Sequence, residues 1–178
     1  YNKLYESKDD DLPGIFEASC WAHTRRKFYE ITVSNDNARI AEEAVEQIGK
    51  IYDLESHVRG SDPPTRQDYR IKHSKVLVED LFTSFKKVRK KLPEKSRTAK
   101  AIAYALNNEE ALKRFITNGK IEIDNNAAER ALRAVAVGRK NWLFAGSDEG
   151  GKSAANIYTL LETAKLNEIG RASCRERV

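Results

Sequence analysis

The segment IEIDNNAAERALRAVAVGRKNWLFAGS, Ile121 to Ser147, carries several backbone signals in succession. Ile121, Glu122, Ile123 and Asp124 alternate apolar and acidic side chains, the pattern of a strand end. Asn125 and Asn126 stop it. Asn126 suits a helix N-cap, and Glu129 three residues later has the spacing of a capping box. Along the helix that follows, Ala128, Leu132 and Val135 share one face, while Glu129 and Arg133, four apart, share another. Gly138 ends the helix, Arg139 and Lys140 follow at once, and Trp142, Leu143 and Phe144 form an apolar run closed by Gly146. The order is therefore strand, acidic turn, helix with a carboxylate in its first turn, and basic loop.

Upstream, residues 1–14 are polar, contain Asp9, Asp10 and Asp11, and read as a loop around Pro13-Gly14. Ile15 to Cys20 predicts a short strand, followed by a helix from Trp21 to Ile31 with Trp21, Phe28 and Ile31 near one face and Arg25, Arg26 and Lys27 on much of the rest. Ser34 to Asn37 breaks the pattern. A long helix over 38–58 then carries the stripe Ile40, Ala44, Ile48, Ile51, Val58. A second, over 66–91, is expected to bury Tyr69, Val76, Leu81, Phe85, Val88 and Leu92, with Pro93 as its stop. Shorter helices follow over 97–106 and 109–116. Nothing between Ala38 and Gly119 alternates as a strand does. The reading is a mostly helical α/β chain, with an all-helical insertion over 38–119 between core pieces at 1–37 and 120–169. The last helix, Ser153 to Leu166, places Ile157, Leu161 and Ala164 on a face to be buried. Residues 170–178, GRASCRERV, lack periodicity and read as a non-native tail.

The 178 residues suffice for one domain with a helical insertion. The chain begins with Tyr1 and contains no Met, which reads as a fragment cut at its amino terminus. Cys20 and Cys174 have neither disulfide-framework nor metal-ligand spacing, which points to a reducing compartment. No apolar run reaches the roughly 20 residues that span a bilayer. A soluble, cytoplasmic protein is expected. The net charge of +5 is unevenly placed. Lys86, Lys87, Arg89, Lys90, Lys91, Lys95, Arg97 and Lys100 stand against one acid, Glu94, so the run suits either a solvated face or a polyanion partner.

Three segments together carry a family resemblance: Cys20-Trp-Ala-His-Thr-Arg-Arg-Lys-Phe28, the Asn-Asn-x-x-Glu-Arg motif at Asn125 to Arg130, and SAANIYTLLETAKLN from Ser153 to Asn167. In that order they resemble the carboxy-terminal half of transposases of the insertion-sequence-66 family. The resemblance implies a ribonuclease H-like core, here partial, with an Asp-Asp-Glu metal site that cleaves DNA and transfers strands. It implies that Glu129 is the final carboxylate of that site and that His23 lies beside it. The two aspartates correspond to positions upstream of Tyr1, so the fragment by itself is expected not to cleave DNA. Transposon ends and target DNA are the implied partners, with a homo-oligomer in the synaptic complex.

The chemistry gives these residues their roles. Two-metal phosphodiester cleavage needs carboxylates converging on ions about 3.5–4 Å apart, and Mg²⁺ (or Mn²⁺) suits oxygen donors and keeps waters. By spacing alone Glu129 is as readily a capping-box acceptor as a ligand. Asp124, a weaker metal candidate, is by spacing a turn residue first. His23 by itself is a packed or surface histidine. Arg25, Arg26, Lys27, Arg130, Arg133, Arg139 and Lys140 are candidate contacts to the DNA backbone, against the plainer reading of surface ion pairing. A non-catalytic DNA-binding or assembly remnant of such an enzyme is the alternative. Gly146 to Ser153, GSDEGGKS, also satisfies the phosphate-loop pattern. Asp148 and Glu149 would oppose bound phosphates there, and a glycine-rich turn into the last helix is the favoured reading.

Overall fold

A computed structural model describes residues 16–34, 38–138, 146–167 and 169. Among them run eight α-helices: α1 Trp21–Val33, α2 Arg39–Ser56, α3 Pro63–Tyr69, α4 Lys75–Arg89, α5 Arg97–Asn107, α6 Glu109–Thr117, α7 Asn126–Gly138 and α8 Asp148–Leu166. The chain divides into two compact units, Tyr1–Asn125 and Asn126–Val178.

Local chemistry starts and stops the helices of the first unit. Asp62 caps α3, accepting from the Thr65 amide at 3.2 Å, and Pro63 occupies the first helical position, where its fixed φ fits and its missing N–H costs nothing. Ser96 caps α5 through the Ala99 amide at 3.1 Å. Lys86, Lys87 and Arg89 crowd the last turn of α4, where the helix dipole favours cations.

The apolar stripes meet in one core. Ala41, Ala44, Ile48 and Ile51 of α2 lie against α1, and Phe28 of α1 stacks on Phe85 of α4 at 5.2 Å. Trp21 sits edge-on to Phe82 and Phe115, with centroids at 6.1 and 6.4 Å. Its indole N–H donates to the Leu112 carbonyl at 2.9 Å, so the largest buried side chain also has its polar atom satisfied.

The long helix expected over 66–91 is one rod with a defect. Arg70–Ser74 is a π-helical turn between α3 and α4. A π turn adds a residue to the repeat and rotates everything beyond it. Arg66, Arg70, Ser74, Val78 and Phe82, each four residues apart, therefore share the buried face. Val76, expected in the core, is instead 58% exposed.

The two strands expected at Ile15–Cys20 and Ile121–Asp124 are not formed: residues 16–20 and 121–125 are irregular, and no strand occurs among the described residues. Their backbone groups are engaged otherwise. The Ile121 carbonyl accepts from Arg70 Nη1 at 2.9 Å, the Ile123 carbonyl from the Trp21 amide at 3.1 Å, and the Ala111 carbonyl from the Ser19 amide at 3.1 Å. Alternation marks which side chain turns inward, and Ile123 is buried accordingly; a strand additionally needs a ladder partner. The description supports the mostly helical part of the expected α/β class.

In the second unit α7 begins at Asn126, one position before the expected first turn, within the ordinary spread of helix bounds. Leu132, expected on its apolar face, is 63% exposed, and Ala128 is exposed too. The last helix starts at Asp148 rather than Ser153, and Ile157 and Leu161, expected to be buried, are 57% and 52% exposed. Apolar periodicity shows that a face can be buried, not that an element covers it. The expected N-terminal loop, the Trp142 run and the 170–178 tail lie outside the described residues.

Candidate catalytic carboxylates and basic surfaces

Asp124 ends a segment that two buried arginines hold in place. Arg70, with no exposed surface, donates through Nε and Nη2 to both oxygens of the equally buried Glu55, at 2.8 and 2.5 Å. Its remaining nitrogen, Nη1, donates to the carbonyls of Phe115 at 3.0 Å and Ile121 at 2.9 Å. Arg66 donates to Glu122 and to the Gly119 carbonyl. Gly119 lies so close to the Pro63 carbonyl that no Cβ fits there. The loop from α6 to Asn125 is thus fastened to α3, the π turn and α2.

Around Tyr52 of α2 stand half-buried Asp124, Cys20 before α1, and Arg25 of α1. The Tyr52 hydroxyl is buried without a well-formed hydrogen bond. Burial first, then the charge and hydrogen-bonding reach of Asp124, push its pKa above the ordinary value; Cys20 adds to the rise and Arg25 opposes it. Tyr52 therefore stays a neutral phenol beside the carboxylate. Composition gave no signal for it, because Tyr52 sits beside an apolar stripe and looks like core. Arg66 and Arg70, four apart on a buried face, were hidden the same way.

Glu129 lies in the first turn of α7 and is exposed, as are Arg130 and Arg133. An acid in that position complements the positive end of a helix. Arg139 and Lys140 lie outside the described residues. His23 is half-buried on α1 between buried Trp21 and Thr24. Arg25, Arg26 and Lys27 are exposed on α1, and Lys27 Nζ stands 4.3 Å above the Tyr104 ring. Among the described residues no three His, Cys, Asp or Glu side chains converge as a metal site.

The basic run over 86–100 is not uniform. Lys86 pairs with Glu109 at 2.8 Å, and Lys113 pairs with the same carboxylate at 2.5 Å. Burial alone would raise the Glu109 pKa, but the hydrogen bonds from Lys113 and Lys86 outweigh it and hold the carboxyl below its ordinary value. Arg97 and Lys100, by contrast, line a cavity with Lys27. The phosphate-loop pattern is used for helix capping: Ser147 accepts from the Gly150 amide at 3.0 Å, Gly150 and Gly151 are helical, and Lys152 pairs with Glu149 at 2.9 Å. Gly146 supplies the left-handed turn, φ +78°, that enters α8.

With the Asn-Asn-x-x-Glu-Arg segment placed at the start of α7, relatives become informative. The description "Transposase IS66 family" matches residues 1–153. The chain belongs to the IS66 transposase family. Similar curated proteins, all from Sinorhizobium fredii (strain NBRC 101917 / NGR234), are the uncharacterized proteins y4qI, 45% identical, y4hP, 38% identical, and y4jD, 34% identical. Each match covers 85% of this chain, and 28%, 30% and 30% of the respective relative, so the chain spans less than a third of the relatives' length. No solved structure matches. No helix of the described residues is long and apolar enough to cross a membrane.

Proposed function

We propose that this IS66-family chain supplies the final metal-binding carboxylate, Glu129, to a transposase that cleaves DNA and transfers strands at transposon ends. The observation that carries the reading is the family motif Asn125-Asn-x-x-Glu129-Arg130 falling at the first turn of an exposed helix, within a family match over residues 1–153. The remaining carboxylates of an Asp-Asp-Glu set would come from the part of the longer protein that precedes this one, on a ribonuclease H-like core continued there. Mg²⁺ or Mn²⁺ is the cation whose preference for oxygen donors suits such a set. Asp124, next to the neutral Tyr52 phenol, is the secondary candidate ligand.

In this reading Arg130 and Arg133, with Arg139 and Lys140 beyond the described residues, draw the DNA backbone toward Glu129. Arg25, Arg26 and Lys27 of α1 are proposed as further contacts to the DNA backbone, and His23 is the neighbour of the site that the family resemblance implies. Phosphate contacts of this kind bring affinity without sequence preference. Homo-oligomerisation in the synaptic complex belongs to the same proposal.

The test uses a full-length protein, the y4qI frame with this chain as its corresponding segment, and a duplex bearing a transposon end. Metal-dependent strand cleavage is expected, and Glu129→Gln should lower it by at least ~100-fold, the upper end of what even an outer-sphere partner of a metal costs. Cleavage undiminished by Glu129→Gln would remove Glu129 from the site. DNA binding without any cleavage in the restored protein would leave the non-catalytic reading.

A further inference from the structure

The helical unit carries a basic groove that the motifs do not account for. A shallow cavity of about 390 Å³ opens between α1 and α5, lined by Lys27, Glu30, Ile31, Arg97, Lys100 and Ala101. Its floor is apolar, Ile31 and Ala101 being buried, and its rim carries three cations against one acid. Lys27 is held at the seam between the two helices by its position over the Tyr104 ring of α5. Arg97 and Lys100, three apart, project from the same side of the first turn of α5.

A second cavity of about 450 Å³ continues from the first, sharing Ile31 and Arg97 and adding Ser96 and Thr98. The amino-terminal end of α5 therefore opens onto the groove, and the helix dipole reinforces the positive charge already there. An apolar floor with exposed cations along its edge fits a ridge of phosphates passing over it better than a small molecule enclosed within it.

We propose that the α1–α5 groove is a DNA-backbone site, in which Lys27, Arg97 and Lys100 hold phosphates of duplex DNA. The proposal rests on the reading that this chain acts on DNA. It adds to that reading two residues of the helical insertion and ties Lys27 to them. Lys86, six residues before Leu92 and committed to Glu109, is no part of the groove.

The experiment measures binding of the full chain to a short fluorescein-labelled duplex of arbitrary sequence by anisotropy, over a series of salt concentrations. Arg97→Gln with Lys100→Gln should weaken binding by about tenfold and lower the slope of log affinity against log salt by about 2, one unit per lost phosphate contact. Lys72→Gln with Lys75→Gln removes the same charge from exposed positions in the π turn and at the start of α4 and should change both quantities much less. Equal losses from the two pairs would overturn the groove, since net charge alone would then account for them. An unchanged slope for the groove pair would overturn it as well while leaving the DNA reading intact. Absence of binding by the unaltered chain would sink both. Lys27→Gln alone, expected to lower the slope by about 1, gives an independent route should the double variant fold poorly.

Discussion

Arg70 has no exposed surface, and its donors all go to defined acceptors: both Glu55 oxygens and the carbonyls of Phe115 and Ile121. Replacing such a pair by apolar side chains is often tolerated, whereas removing one partner strands a buried charge. Arg70→Ala should therefore destabilise the protein by about 3–5 kcal/mol in urea unfolding. The loop that ends in Asp124 should lose protection in hydrogen exchange first. A cost under about 1 kcal/mol would mean that water replaces the guanidinium. The sequence could mark Glu129 as a candidate only through the family motif around it, which is local. It was silent about Arg66, Arg70 and Tyr52, whose partners lie far along the chain: Arg70 reaches back to Glu55 and forward to Ile121.

At the scale of elements, the succession of helices was legible, and their exact starts and their phase were not. Ser96, Asp62 and Pro63 mark helix starts by chemistry acting over three or four residues. The π turn at Arg70–Ser74 has no such mark. Its buried face is polar at Arg66, Arg70 and Ser74, so a 3.6-residue reading carried straight through placed Val76 inside. The start of α6 makes a pH prediction. Glu109, in its first turn, ties α6 to α4 through Lys86 and also pairs with Lys113. Its folded-state pKa lies below the ordinary value of 4.5, so it contributes stability above that pH and the contribution is lost as pH falls through the folded value. The urea midpoint of the unaltered protein should drop more steeply between neutral pH and pH values below 4.5 than that of Glu109→Gln. Parallel curves would show that the two lysines do not stabilise the charged form.

For the whole molecule, the helical unit through Asn125 has a core of its own, built from Trp21, Phe28, Ile48, Phe82, Phe115 and Ile123 among others. A chain ending at Asn125 should therefore unfold in one cooperative transition, with a melting midpoint close to that of the longer chain. Loss of the transition in circular dichroism would show that α7 or α8 is required for that core. What the sequence determined by itself was local: that helix follows helix, which faces are apolar, that residues 38–119 contain no strand, and which family motif surrounds Glu129. Those properties follow from side-chain chemistry and backbone preference within a few residues. Only the tertiary structure decided that Ile121–Asp124 is a fastened loop rather than a strand, that Arg70 rather than Val76 enters the core, and that Lys27 meets Arg97 and Lys100 at one groove. Each of those outcomes depends on a partner many residues away, and no local preference encodes the distance between them.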